Sequence, residues 1–457
     1  MRDLLLLVAL AGLVPMILRA PQVGLLAWTW VTLFNPQREV FGFLHGFEIN
    51  FYITLLTVFA WAISRERKTA PLNSVTGMLI LFALWVSATT YNALDPAYSF
   101  VIWDRTVKTV ILALAILALV NTKARVQALV WVVVVSLGYY AVKGGGFVLL
   151  TGGRSHVFGP AKSMIEDNNQ LGLALVMLLP LMNYLRVTSR SALVTKVLLV
   201  AMGLTLVAII GTYSRGALLA LAVSAVVYAA RTRAGVMPLV LGGLLLVALP
   251  SLMPGDWFHR MSTIQSYHQD LSFAGRVEAW RTSFEIARLR FLGGGFSAID
   301  LDWVAQVYNV PGGLMQGRAA HSMYFEVLGD HGFMGLALYL MLIVAALFNT
   351  SIVISATRDR PEMDWAGHLA RTLQISIAGY LVGGAALSMA YYDGFFILLS
   401  LSGALALLVR QPASQTLRQV TPRWREIGLP AVAIRTSPSD LRAGFRPTTQ
   451  FAGRGAS

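Results

Sequence analysis

The stretch ALVTKVLLVAMGLTLVAIIGTYSRGALLALAVSAVVYAA, residues 192–230, carries only two charged side chains, Lys196 and Arg215. It divides at Gly211-Thr-Tyr-Ser-Arg215 into apolar runs over 193–213 and 215–230. A straight helix needs roughly 17 to 25 residues to cross a bilayer. Backbone surrounded by lipid must satisfy its own hydrogen bonds, which in an unpaired segment leaves the helix. The stretch therefore predicts two spans meeting at one membrane face. Similar runs recur near 3–18, 22–34, 49–63, 76–92, 106–120, 126–142, 168–186, 236–252, 333–355, 368–390 and 394–410. The first two are short and separated only by Arg19-Ala20-Pro21, so they form either two spans or one broken helix. The expected fold is an all-α polytopic membrane protein with 12–13 transmembrane helices.

Composition agrees. Of 457 residues, 56% are hydrophobic and 13% charged, and the mean hydropathy is +0.65. The net charge of +14 raises the question of nucleic acid. The basic residues are scattered among apolar spans, with no stripe interleaved with stacking aromatics in a soluble module, so no nucleic-acid partner is expected. The absence of cysteine excludes disulfides, thiolate metal sites and cysteine nucleophiles. No phosphate-binding or dinucleotide glycine motif occurs, so no cofactor is expected. Leu4–Leu18 has the length of a signal sequence, but another apolar run begins at Val23 and no small-residue cleavage site stands out. It reads as a retained membrane segment.

Lysine and arginine in short loops set the orientation. Arg65, Arg67 and Lys68; Lys123 and Arg125; Arg186, Arg190 and Lys196; Arg231 and Arg233; and Arg358 and Arg360 all share one side if each run crosses once. That side is expected to be the cytoplasm. The polar, basic tail over 411–457 falls there too and is expected to be disordered. The opposite side receives loops at 92–105, 143–167 and 253–332. Within the last, Val277, Trp280, Phe284 and Ala287 recur at helical spacing, predicting an amphipathic helix on the outside of the bundle or at the lipid interface, ended by Gly293-Gly294-Gly295.

Three ionisable positions on that side stand out. Arg215 follows Ser214, a suitable N-cap, and so occupies the first turn of a helix whose dipole it opposes. An anion gripped by the guanidinium and the free backbone N–H groups removes the conflict, and phosphate suits both. An arginine snorkelling to lipid headgroups accounts for the same position. Arg276, after Gly275 at the start of the amphipathic helix, repeats the arrangement. A headgroup patch shared with Arg281, Arg288 and Arg290 is its plain alternative. His321, where the long loop returns to the membrane, has the residue type for taking a proton from an attacking hydroxyl, although a lone histidine at a helix start is also a structural residue. His331, ten residues on beside Asp330, competes for that role, and no metal-ligand spacing links the two histidines. Around Asp167 and Asn168 helix capping is the first explanation, with sugar contacts as the alternative.

Taken together, Ser-Arg-Gly-Ala at 214–217, Gly-Arg-x-x-x-Trp at 275–280 and His-Ser-x-Tyr at 321–324, followed by Gly-Phe-x-Gly at 332–335, resemble the O-antigen ligase and polymerase superfamily. The resemblance covers roughly 167–410. The N-terminal part, with Phe34-Asn-Pro36 and the run from Phe158-Gly-Pro160 to Asn169, is similar to the O-glycosylation ligases that accompany exosortase A systems. The resemblance implies a GT-C-like helical enzyme of the bacterial inner membrane, with an N-terminal transmembrane region (1–166), a ligase-like region (167–410) including a large periplasmic loop, and the tail. It implies transfer of an oligosaccharide from undecaprenyl pyrophosphate to an acceptor hydroxyl at the periplasmic face, without metal or nucleotide. Arg215 and Arg276 would hold the pyrophosphate and His321 would activate the acceptor, with Asp167, Asn168 and Tyr324 as further sugar or acceptor contacts. Asp330 and His331 are not part of the family pattern. The acceptor stays open between protein, lipid A core and growing polysaccharide. A polyprenyl-glycan flippase fits the span count equally well, but no clear internal repeat and few mid-membrane charges speak for it.

Overall fold

The computed structural model describes residues 1–66, 68, 70–231, 271–308 and 318–411, with side chains of 271–274 left aside. The expected span at 236–252, Arg67, Arg233, parts of the long loop and nearly all of the tail lie outside the described residues. Among those described there is no β-strand, and the chain is an all-α polytopic membrane protein. Residues Met1–Arg410 cluster as one compact unit.

The helices are α1 (Arg2–Arg19), α2 (Pro21–Phe34), α3 (Ile49–Ile63), α4 (Ser74–Tyr91), α5 (Pro96–Leu119), α6 (Lys123–Thr151), α7 (Asn168–Thr188), α8 (Ala192–Gly211), α9 (Arg215–Arg231), α10 (Leu271–Leu289), α11 (Asp302–Val307), α12 (Met323–Ala356), α13 (Asp364–Gly384) and α14 (Asp393–Val409). Every apolar run expected within the described residues contains a helix. The N-terminal pair is two helices, because Ala20 is extended (φ −147°, ψ 94°) and Pro21 starts the second. Among the described residues five helices, α4, α6, α7, α8 and α12, are long and apolar enough on their own to cross a membrane. The others are shorter or carry charge. Several, such as α13, are covered largely by protein, so their polar residues need not meet lipid.

Three boundaries differ from expectation. Helix α6 continues through Gly144-Gly145-Gly146 to Thr151, where 143–167 was expected to be loop. Here glycine serves packing: a Cβ on Gly145 would lie 2.2 Å from the Leu204 carbonyl, so its absence lets α6 and α8 touch backbone to backbone. Helix α5 starts at Pro96, capped by Asp95, nearly three turns earlier than its apolar run. Helix α13 stops at Gly384, leaving residues 385–392 as a loop instead of a span reaching 390. This loop is held by side chains. Ala390 N donates to Glu326 (2.9 Å), Tyr391 OH donates to Asp330 (2.8 Å), and Tyr339 OH donates to the Ala390 carbonyl (3.1 Å).

Helix α13 packs on α7, α9 and α12, and α12 packs on α4, α10 and α14. At one end of the bundle Arg125 pairs with Glu66 and Arg360 reaches the Val409 carbonyl. At the other end the starts of α7, α9, α10 and α12 gather with loop 385–392.

Candidate active site

The convergence begins with the turn between α8 and α9. Ser214 accepts from Ala217 N (3.2 Å) and caps α9, so Arg215 is its first residue, as the sequence predicts. Tyr213 takes a left-handed φ of 58° and its hydroxyl donates to the Gly153 carbonyl, which pins the turn. Asn168 Nδ2 donates to the Thr212 carbonyl (2.6 Å). The side chain of Asn168 is buried and its amide nitrogen is engaged within the fold, tying the α7 start to that same turn. Beyond Arg215, Gly216 faces Ala386 and the Gly383 carbonyl, placing the α9 start against the loop after α13.

The loop reaches the other two helix starts through one residue. Ser388 Oγ accepts from His321 N (2.8 Å), while its carbonyl accepts from the Gln170 amide of α7 (3.4 Å). His321 itself has a left-handed backbone, φ 44°, uncommon for a side chain branching from Cβ into a ring. Such a conformation persists where its surroundings impose it, and it recurs at functional sites.

Trp280 supplies those surroundings. Its Nε1 donates to the Ala320 carbonyl (2.8 Å) and its ring stacks on Phe325 (centroids 5.1 Å apart). One helical turn separates Trp280 from Arg276, so the contact that clamps the segment before His321 also brings Arg276 alongside. The His321 ring is exposed at its surface, yet the crowded helix starts displace enough water to push its pKa below the ordinary value. The Arg276 charge pushes in the same direction, and Asp167 opposes both. Thus His321 lies within reach of the charges of both Arg276 and Asp167. Tyr324 lies a turn below, its hydroxyl donating to the Leu381 carbonyl (2.9 Å).

The amphipathic helix buries a different face from the one that the spacing of Val277, Trp280, Phe284 and Ala287 predicts. Phe284 is 45% exposed, and the buried face of α10 is Ala279, Thr282, Ser283, Ile286 and Ala287. That face packs on α12, where Gly329 admits Ser283 at close range. The helix is thus seated on the bundle.

His331 occupies a different environment from His321. It is wholly buried, sharing a hydrogen bond from Nδ1 with the Thr89 hydroxyl (2.7 Å) and set edge-on to Phe296 (centroids 4.5 Å apart). It lies inside a break in α12 at Gly332 (φ 68°, ψ −175°). The carbonyls freed there accept from the glycine triplet: Gly294 N donates to Gly329 (2.8 Å) and Gly295 N to Asp330 (2.9 Å), while Ser297 N donates to the Asp330 carboxylate (2.9 Å). Asp330 and His331 therefore belong to a latch that fastens the long loop onto α12.

Sequence reasoning passed over Arg318. A Cβ built on Gly275 would lie 2.2 Å from its Nη1, so the guanidinium rests against the residue before Arg276. Its position three residues before His321, on the side poor in cations, was the available signal. Among the described residues no cluster of three or more His, Asp or Glu side chains is placed to hold a metal ion.

Comparison with known families divides the chain in two. Residues 198–340 match the O-Antigen ligase family, and residues 1–190 match a family of unknown function. Comparison with curated proteins gave no match. The ligase-family match contains Arg215, Arg276, Arg318 and His321.

Proposed function

We propose that the ligase-family region catalyses transfer of an oligosaccharide from a polyprenyl pyrophosphate carrier to an acceptor hydroxyl, at the membrane face onto which Arg215, Arg276 and His321 open. The observation that carries this is the electrostatic coupling of Arg276 to a histidine held in strained backbone, beside a capped helix start bearing Arg215. The carrier pyrophosphate takes the two guanidiniums, with Arg318 as a third cation next to Arg276. Neutral His321 accepts the proton of the acceptor hydroxyl as that oxygen bonds to the sugar C1. The C1–O bond to pyrophosphate breaks, and its electron pair leaves on a phosphate oxygen that the arginines neutralise. Attack opposite the leaving group inverts the anomeric centre. A depressed pKa keeps His321 unprotonated, as a base must be.

The basic end then lies in the cytoplasm and the site faces the periplasm, following the distribution of lysine and arginine. The similarity of the N-terminal part to exosortase-associated ligases favours a protein acceptor over lipid A core or a growing polymer. Purified protein given lipid-linked glycan and acceptor should form a covalent product without an ion gradient. Arg215→Ala and Arg276→Ala should each lower the rate by about 100-fold, the loss expected for a donor to developing anionic charge. Lysine should rescue either incompletely because it cannot grip two oxygens. Full activity of both alanine variants at normal protein levels would reject the assignment. Gradient-dependent movement of the lipid without covalent product would favour a flippase.

A further inference from the structure

A cavity of about 370 Å³ opens at the same end of the bundle but contains none of Arg215, Arg276 and His321. Its walls come from α2, the segment 35–48 that follows it, α3, α5, the loop at 162–165 and Tyr392-Asp393, so it lies mostly within the region matched only to a family of unknown function. Two of its lining side chains are more than nine-tenths buried and have no hydrogen-bond partner: the Gln37 amide oxygen (residue 9% exposed) and the Tyr392 hydroxyl (3% exposed). Buried polar atoms are seldom left so, because desolvation without a replacement bond is costly.

The remaining wall indicates what would satisfy them. Lys108 is paired with Asp104 (2.6 Å), and Thr109 donates to Asp393, whose charge also faces Arg105. With four cations, Arg38, Arg105, Lys108 and Lys162, against three carboxylates, Glu48, Asp104 and Asp393, the charges of the lining nearly balance. Asn50 and Gln37 offer amides, and Trp28 and Phe47 offer aromatic surface. Mixed donors and acceptors beside aromatic faces suit an uncharged, hydroxyl-rich ring.

We infer that this cavity is a glycan subsite, holding sugar residues remote from the bond being made; the inference rests on the ligase reading above. Connectivity supports the link. Ser388, which binds the His321 backbone, and Asp393, which lines the cavity, lie five positions apart where loop 385–392 runs into α14. Five residues span roughly 18 Å at most, within reach of a short oligosaccharide. Sugar bound there would hold the reactive end of the chain in register with the arginines, and the N-terminal half would read glycan identity.

The test uses the full-length protein in nanodiscs, with two probes measured by calorimetry. One is the oligosaccharide released by mild acid from the host's own lipid-linked glycan; the other is sugar-free undecaprenyl pyrophosphate. Gln37→Leu, Asn50→Ala and the cavity-filling Thr54→Trp should each weaken oligosaccharide binding at least tenfold and leave undecaprenyl pyrophosphate binding within twofold, with unchanged thermal unfolding. Arg276→Ala should do the reverse. Equal oligosaccharide affinity in wild type and all three cavity variants would overturn the subsite. If Arg276→Ala instead left pyrophosphate binding intact, the ligase assignment would fail independently.

Discussion

His321 works within an opposition of neighbours. Burial and Arg276 push its pKa down from the ordinary imidazole value, and Asp167 pulls it up. A base acts when unprotonated, so in the proposed mechanism a lowered pKa keeps transfer active to lower pH than an unperturbed histidine would allow. Removing Arg276 removes one lowering influence; the acid limb of the pH–rate profile should move to higher pH in Arg276→Ala, besides the loss of rate. Asp167→Asn removes the raising influence, and the limb should move to lower pH. Comparing kcat/KM against pH for the two variants checks the signs. Limbs that coincide with wild type in both would mean that His321 is not the titrating base. The residue types were legible beforehand, since arginine beside glycine and a histidine at a helix start are local signals. That Asn168 is bound to Thr212, and that Arg318 rests on Gly275, depends on contacts across 44 and 43 positions and has no local signature.

At the scale of elements, the break in α12 couples the long loop to the membrane bundle. Gly332 has a backbone conformation essentially reserved for glycine, and a Cβ there would lie 2.4 Å from the Phe291 carbonyl. Gly332→Ala should destabilise the protein by about 2 kcal/mol or more, visible as a lowered unfolding temperature. His331→Ala should also lower that temperature while the folded fraction keeps its turnover. Loss of turnover with unchanged stability would return His331 to the role of base. The run Gly293-Gly294-Gly295 was readable as a helix stop. Its second task, satisfying carbonyls of α12, was not, because hydrogen-bond demand at a break appears only once the break exists. The glycines of α6 mislead for a related reason: isolated, they weaken a helix; against α8, they allow closer packing.

For the whole molecule, the absence of native cysteine makes topology directly measurable. With the site facing the periplasm, Ser155→Cys should react with a membrane-impermeant maleimide in intact spheroplasts, and Thr188→Cys only after permeabilisation. The reverse pattern would invert the orientation and move the site to the cytoplasmic face.

The apolar runs alone determined the helical membrane fold, because lipid offers backbone no other partner and helix length follows from bilayer thickness. They also placed the arginines and His321 near helix starts on a common side, since alternating spans leave little freedom about sides. Tertiary structure alone decided which of these meet. Loop 385–392 reaches the starts of α7, α9 and α12, Trp280 clamps the segment before His321, and α10 turns small polar residues inward. Each rests on shape and hydrogen-bond complementarity between segments far apart in the chain, which hydropathy does not encode.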